Sequence, residues 1–125
     1  MNVNEAIARV DARLPNRIER REKVNMLSVL DRKLIGEVLS RFPAAVYDKN
    51  FEKYDPDADG SRELVAQSPY DEMYIHYVSA EVYLILHEQK HYNNEVEIFN
   101  SILADYKVHL IRNLRPGGVS RYKVR

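Results

Sequence analysis

From residue 69 to residue 114 the apolar side chains recur every three or four positions and are interrupted once, a pattern that selects helices over strands. Met73, Tyr77, Ala80 and Leu84 form one stripe, with Tyr74, Val78 and Ile85 beside it. Tyr92, Val96, Phe99, Leu103, Tyr106 and Leu110 form a second, in alternating steps of four and three, the spacing of a two-helix packing seam. Between them lies the polar string His87-Glu88-Gln89-Lys90-His91. So short a break between two amphipathic helices implies an antiparallel hairpin. Ser68-Pro69-Tyr70-Asp71 is the expected helix start: serine caps, proline is tolerated at the first position, and Asp71 favours the positive helix end.

Two further helices are expected upstream. Asn4 is placed to cap the first, whose apolar face is Val3, Ile7, Val10 and Leu14, and Pro15-Asn16 ends it because proline disfavours helix at the preceding residue. The second spans about residues 19–40, with Val24, Leu27, Leu30, Leu34 and Val38 on one face and Met26, Ile35 and Leu39 widening it. Arg20, Arg21, Lys23, Arg32 and Lys33 belong to the opposite, wet side, where interleaved Glu19, Glu22, Asp31 and Glu37 argue against a polyanion-binding stripe. Periodicity then lapses over residues 43–67. Val46-Tyr47 and Leu64-Val65 are each expected to form a short strand beside an acidic turn, in a connection long enough to suggest function or disorder. Pro116-Gly117-Gly118 ends the fold ahead of a basic tail expected to await a partner. The expected fold class is mainly α: a four-helix bundle with a long helical hairpin, a long loop with short β-strands between helices 2 and 3, and an extended C-terminal tail. Residues 1–114 would be the single domain and 115–125 the tail.

A chain of 125 residues suits one compact domain and needs no staples. It has no cysteine, which excludes disulfides, thiolate metal sites and thiol catalysis. The polar amino terminus lacks the apolar core of a secretory signal, and no apolar run approaches the ~20 residues of a membrane span, so a soluble protein is expected. Zero net charge conceals segregation: residues 1–42 carry nine basic and six acidic side chains, 43–73 three and eight, 74–111 two and five, 112–125 five and none. The neutral total argues against a general nucleic-acid binder, whereas a basic tail beside an acidic middle suits contacts between protein subunits.

Two strings imitate metal motifs. His87, Glu88 and His91 match the zinc-protease pattern H-E-x-x-H, in which both histidines project from one helical turn onto the metal and the glutamate activates water. Lys90 occupies a normally uncharged position, the extended pattern would want glycine at Asn94 and histidine at Glu97, and only Glu97 or Asp105 is available as a third ligand. The competing expectation is a polar interhelical turn. Asp55-Pro56-Asp57-Ala58-Asp59-Gly60 imitates the start of a calcium loop, with Ser61 and Glu63 at the seventh and ninth positions. The twelfth position, normally a bidentate glutamate, is Ala66, which leaves an acidic turn as the competing expectation. His76 and His109 have no catalytic partner at a telling spacing, and Gly117-Gly118 follows a helix instead of opening one. Nine tyrosines against three phenylalanines suit packing at a wet boundary such as an oligomer interface.

Asn4-Glu5-Ala6-Ile7 with Arg9-Val10-Asp11 and Pro15-Asn16, the helix start Pro69-Tyr70-Asp71-Glu72 with Tyr74, and Tyr92-Asn93-Asn94 with Phe99-Asn100 together resemble the small head–tail connector proteins of tailed bacteriophages, also called adaptor or head-completion proteins. The resemblance spans most of the chain and rests on helix-boundary and packing residues. It implies a helical protomer that joins copies of itself in a ring, a dodecamer in the usual case, beneath the portal protein of a filled capsid. The ring would extend the DNA channel, genomic DNA only passing through, and dock the next neck or tail protein, a stopper or tail terminator. It implies a virion neck location after synthesis in the host cytoplasm, no enzymatic activity, no cofactor and no membrane. In related adaptors the carboxy-terminal tail reaches the portal, which nominates Arg112, Arg115, Arg121, Tyr122, Lys123 and Arg125 here. Asp48, Asp55, Asp57, Asp59 and Glu63 are candidates for contacts between subunits or with the next ring. Two other function classes remain open at this point: a small zinc metalloprotease using HEQKH, and a helical scaffold or regulatory module that binds partner helices through its apolar seam.

Overall fold

The computed structural model describes residues 1–114. The expected tail, with Arg115, Arg121, Tyr122, Lys123 and Arg125, lies outside the described residues. The described residues are mainly helical, with four α-helices among them: α1 (Val3–Arg13), α2 (Arg20–Lys33), α3 (Glu72–Ile85) and α4 (Gln89–Leu114). No helix of the described residues is long and apolar enough to cross a membrane.

The face expected of α1 is the buried one: Val3, Ile7 and Val10 are buried and Leu14 packs at its edge. Its cap is Asn2, not Asn4. The Asn2 side chain accepts from the Glu5 N–H at 2.8 Å and the Glu5 carboxylate accepts from the Asn2 N–H at 2.8 Å, a reciprocal capping box. Asn4 is displaced from that role because the loop supplies acceptors to the first turn. Val3 N–H donates to the Arg62 carbonyl at 3.1 Å and Asn4 N–H to the Gly60 carbonyl at 2.9 Å.

In α2 the expected face also holds, with Val24, Leu27, Leu30, Leu34, Val38 and Leu39 buried. Beyond Lys33 the helix widens into a π-helical turn over Leu34–Val38 and closes with a 3-10 turn over Leu39–Arg41. The wide turn accommodates one extra residue, so consecutive Val38 and Leu39 both point inward. The opposite face is not simply wet. Lys23 is buried with its ammonium 2.7 Å from Asp11, Asp31 is fully buried, and Arg20 and Arg32 donate to the Pro56 and Glu52 carbonyls at 3.0 and 2.9 Å. The connection between α2 and α3 covers this face.

That connection contains no strand among the described residues; its one β-bridge joins Asn2 to Glu63. Val46, expected in a strand, is 98% exposed, while Leu64 is buried and its N–H donates to the Met1 carbonyl at 3.0 Å. The chain amino terminus thus takes the place of the partner strand. The turn over residues 68–71, with a cis Ser68–Pro69 peptide, precedes α3, which begins at Glu72 with Asp71 as its cap residue. Ser68 does not cap it. The Asp71 carboxylate instead lies 3.1 Å from the Met1 ammonium.

The antiparallel α3–α4 hairpin is the most extensive helix pair of the fold. In its first half α3 is buried almost all round through Met73, Tyr74, Ile75 and Val78, as expected of a helix covered on several sides. Its last turn emerges, leaving Leu84, Ile85 and Leu86 each nearly half exposed. On α4, Tyr106 and Leu110 are buried and Phe99 and Leu103 pack on the core, as the seam requires. Nearer the turn the inward position is Glu95, with Tyr92 and Val96 only half-buried.

Candidate assembly surface and the polar groups that hold it

The HEQKH string is a helix boundary. His87 has φ +60°, its N–H donates to the Leu84 carbonyl at 3.1 Å, and the Glu88 N–H donates to the Tyr83 carbonyl at 2.9 Å. These two bonds and the left-handed residue form a Schellman C-cap that ends α3. The Glu88 carbonyl then accepts from the Tyr92 N–H at 2.9 Å, opening α4. His87 therefore belongs to neither helix. His91 lies in the first turn of α4, stacked on Tyr83 with ring centroids 4.9 Å apart. Zinc-protease geometry needs both histidines on one continuous helical turn, and this backbone separates them. Among the described residues no group of three or more potential metal-ligating side chains occurs.

Two carboxylates of the acidic turn, those of Asp55 and Asp59, bind its own backbone. Asp55 accepts from the Asp57 and Ala58 N–H groups at 2.8 and 3.2 Å, and Asp59 accepts from the Asp55 N–H at 2.7 Å. At Gly60 the approach is close: a Cβ there would lie 2.5 Å from the Asn4 side chain, which would have to shift and loosen the hydrogen bond it accepts from Arg20. Asp48 pairs with Arg62 at 3.2 Å, and Arg62 reaches Asp59 at 3.7 Å. Glu63 lies apart from these, exposed and 3.2 Å from the Met1 ammonium. That ammonium is made a weaker acid: burial opposes its charge, but hydrogen bonds from it to Asp71 and Glu63 outweigh the burial.

Two buried polar clusters escaped the sequence reading. In the first, the Asp31 carboxylate accepts from the Tyr54 hydroxyl, from the Tyr74 hydroxyl at 2.5 Å and from the Val65 N–H at 3.2 Å. Tyr74 in turn accepts from the Ala66 N–H at 2.7 Å, and the Tyr54 N–H donates to Ser28 at 2.9 Å. One carboxylate thereby binds α2, α3 and both the middle and the far part of the long connection. Burial pushes the Asp31 carboxyl up from the ordinary carboxylate range against these hydrogen bonds, and burial beside Asp31 pushes both phenols up. Asp31 follows Leu27 by four and precedes Leu34 by three, so its place in the apolar register was the available signal.

In the second cluster Glu95, 7% exposed, meets Arg13 through two contacts of 3.3 Å and His76 Nδ1 at 2.8 Å, while Arg13 also donates to Ser79 at 2.7 Å. A carboxylate only accepts, which places the imidazole proton on Nδ1. The cluster joins α1, α3 and α4. His76 thus has a structural partner nineteen positions away, a spacing that carries no local signal.

What remains open is apolar surface. A groove of about 450 Å³ runs between the end of α2 and the hairpin, floored by Leu34, Val38, Tyr77, Phe99 and Leu103. Lys33, Arg41 and Lys107 stand on its rim, with Glu37 the single acid. Among the described residues Tyr54, Tyr74 and Tyr106 are buried, so part of the tyrosine excess serves internal packing. Arg112 is exposed in the last turn of α4. The chain matches no family model, no curated protein and no solved structure in the comparisons.

Proposed function

We propose that this protein is a structural head–tail adaptor of a tailed phage, assembling as a ring beneath the portal protein, extending the DNA channel and docking the next neck or tail component. The observation that carries the reading is apolar surface left uncovered beside segregated charge: the groove along α2, the Leu84-Ile85-Leu86 hairpin tip and Val46 are open, the loop carries an excess of acids and the groove rim an excess of bases. Uncovered apolar patches of this kind mark interaction surfaces. The resemblance of the Asn4, Pro69 and Tyr92 segments to connector proteins supplies the identity of the partners.

The buried clusters support the same role. They fix the connection and the hairpin on one core, giving a protomer able to present surface without refolding. At about 1.5 Å per residue, the 26-residue α4 outruns the 14-residue α3 by about 18 Å, which carries Arg112 away from the hairpin turn. Arg112 and the basic residues 115–125 would engage the portal from there. Individual exposed ion pairs contribute only ~0–1 kcal/mol, so repetition around a ring, not any single pair, would make the joint durable.

Electron microscopy of the protein mixed with the portal of its own phage tests the reading. A ring coaxial with the portal is expected; protein that never joins the portal overturns it and favours a helical scaffold module. Deleting residues 115–125 is expected to spare the helical fold and abolish portal binding, whereas unchanged binding removes the tail from the mechanism.

A further inference from the structure

We propose that the groove beside α2 receives the acidic loop flank of a second copy of this chain, packed head to tail, with Val46 as the apolar anchor. This rests on the ring reading and names the two surfaces that would build the ring.

Residues 52–54 of the connection lie across α2 from the groove. Ser28 and Arg32 face the connection, bonding Tyr54 N–H and the Glu52 carbonyl. Leu30, which lines the groove, is two residues from each and therefore about 200° around the helix from both. A protomer carrying two different, complementary surfaces makes a heterologous contact, which closes into a ring when the rotation permits.

Their chemistry matches. The groove is apolar with Lys33, Arg41 and Lys107 against one acid, and none of these three cations enters an ion pair among the described residues, unlike Arg9, Arg13, Lys23 and Arg62. The loop flank carries four exposed acids, Asp48, Glu52, Asp55 and Asp57, against two exposed lysines, Lys49 and Lys53. Asp48 pairs with Arg62 and Asp55 bonds its own turn, while the Glu52 and Asp57 carboxylates enter no ion pair among the described residues. Val46, two residues before Asp48, is 98% exposed, while each of the other exposed large hydrophobics is at or below 46%. An apolar side chain held so far into solvent, on a flank with a net excess of acids, suits an apolar groove rimmed by cations.

Two variants of the full chain test the assignment, both changed only at exposed positions: Lys33→Glu/Lys107→Glu alters the groove, and Val46→Lys alters the flank. Circular dichroism of each confirms the helical fold, and sedimentation velocity reads assembly. Wild-type protein is expected to self-associate beyond a dimer, less so as salt rises, and each variant is expected to weaken this at least tenfold. Mixing the variants is expected to give a one-to-one pair and nothing larger, because only one flank and one groove remain intact. Wild type that assembles while both variants assemble equally well overturns this interface and leaves the ring reading standing. Assembly that stops at a dimer, or a mixture that forms no pair, overturns the head-to-tail arrangement. Loss confined to the groove variant assigns the groove to another occupant and overturns the proposal. Wild type that stays monomeric at millimolar concentration overturns a second copy as occupant, and portal mixing then judges the ring reading separately.

Discussion

Replacing Asp31 tests the claim that one buried carboxylate organises the connection. Asp31→Ala removes the acceptor of two buried hydroxyls and of the Val65 N–H. Losing several hydrogen bonds to a charged group and stranding the donors costs more than any single bond, and about 3–5 kcal/mol is expected. Asp31→Asn is the sharper test. Its oxygen can still accept from Tyr54 and Val65, but its amide then meets Tyr74, whose oxygen already accepts from Ala66. The Tyr74 hydroxyl proton is left without an acceptor, and about 1–3 kcal/mol should be lost. Urea unfolding followed by circular dichroism measures both as shifts in midpoint at unchanged slope. The pH dependence follows from the raised Asp31 carboxyl, where burial outweighs the hydrogen bonds. A buried acid with a raised folded pKa binds more protons folded than unfolded. Its stabilising contribution is full below the ordinary aspartate value and is lost as pH rises through the raised one. The advantage of wild type over Asp31→Asn should therefore be greatest in acid and shrink as pH rises. An advantage that grows with pH, or an Asp31→Ala variant within about 0.5 kcal/mol of wild type, refutes the reasoning.

Other substitutions probe the remaining elements. His87→Gly relieves a left-handed residue and should raise stability by up to about 1 kcal/mol in thermal unfolding; a loss of stability would argue against the Schellman assignment. Glu95→Ala removes the acceptor of half-buried His76 and of the more exposed Arg13 and should cost about 1–2 kcal/mol by urea titration, with little change meaning that the ion cluster is dispensable. Gly36→Ala meets open space within a helical turn and should stabilise by about 0.5–1 kcal/mol, whereas Gly60→Ala drives a Cβ into Asn4 and should destabilise by about 1 kcal/mol or more; equal effects in a paired melt would contradict the packing. Arg9 and Glu72, both about half exposed, should couple by less than about 1 kcal/mol in a double-mutant cycle, and the Arg9 hydrogen bond, which lowers the Glu72 carboxyl, should cease to help as pH falls through that lowered value.

The elements legible in the sequence were those that local periodicity encodes. Val3, Ile7 and Val10, the α2 face from Val24 to Leu39, and the Phe99, Leu103, Tyr106 and Leu110 seam all turn inward. The bend at HEQKH was legible too, because two apolar stripes could not share one continuous helix through it. Illegible were contacts whose partners lie far along the chain. Asn4 looked like a cap until Asn2 and the Gly60 carbonyl took over the first turn. Asp31 has the charge of a wet-side residue but the spacing from Leu27 and Leu34 of an apolar one, and only Tyr54 and Tyr74 explain how an acid can stand there. Likewise Glu95 displaced Val96 from the seam because Arg13 and His76 await it.

The sequence by itself thus determined the four helices, the hairpin and the segregation of charge, since helical period, helix-ending residues and composition are properties of neighbours in the chain. Tertiary structure decided which polar residues are buried, how the strandless connection clamps onto α2, and which apolar surface stays open. Burial of a charge depends on partners that only folding brings within hydrogen-bonding distance. Exposure of a groove depends on which faces the helices leave uncovered once packed, and no local pattern encodes either.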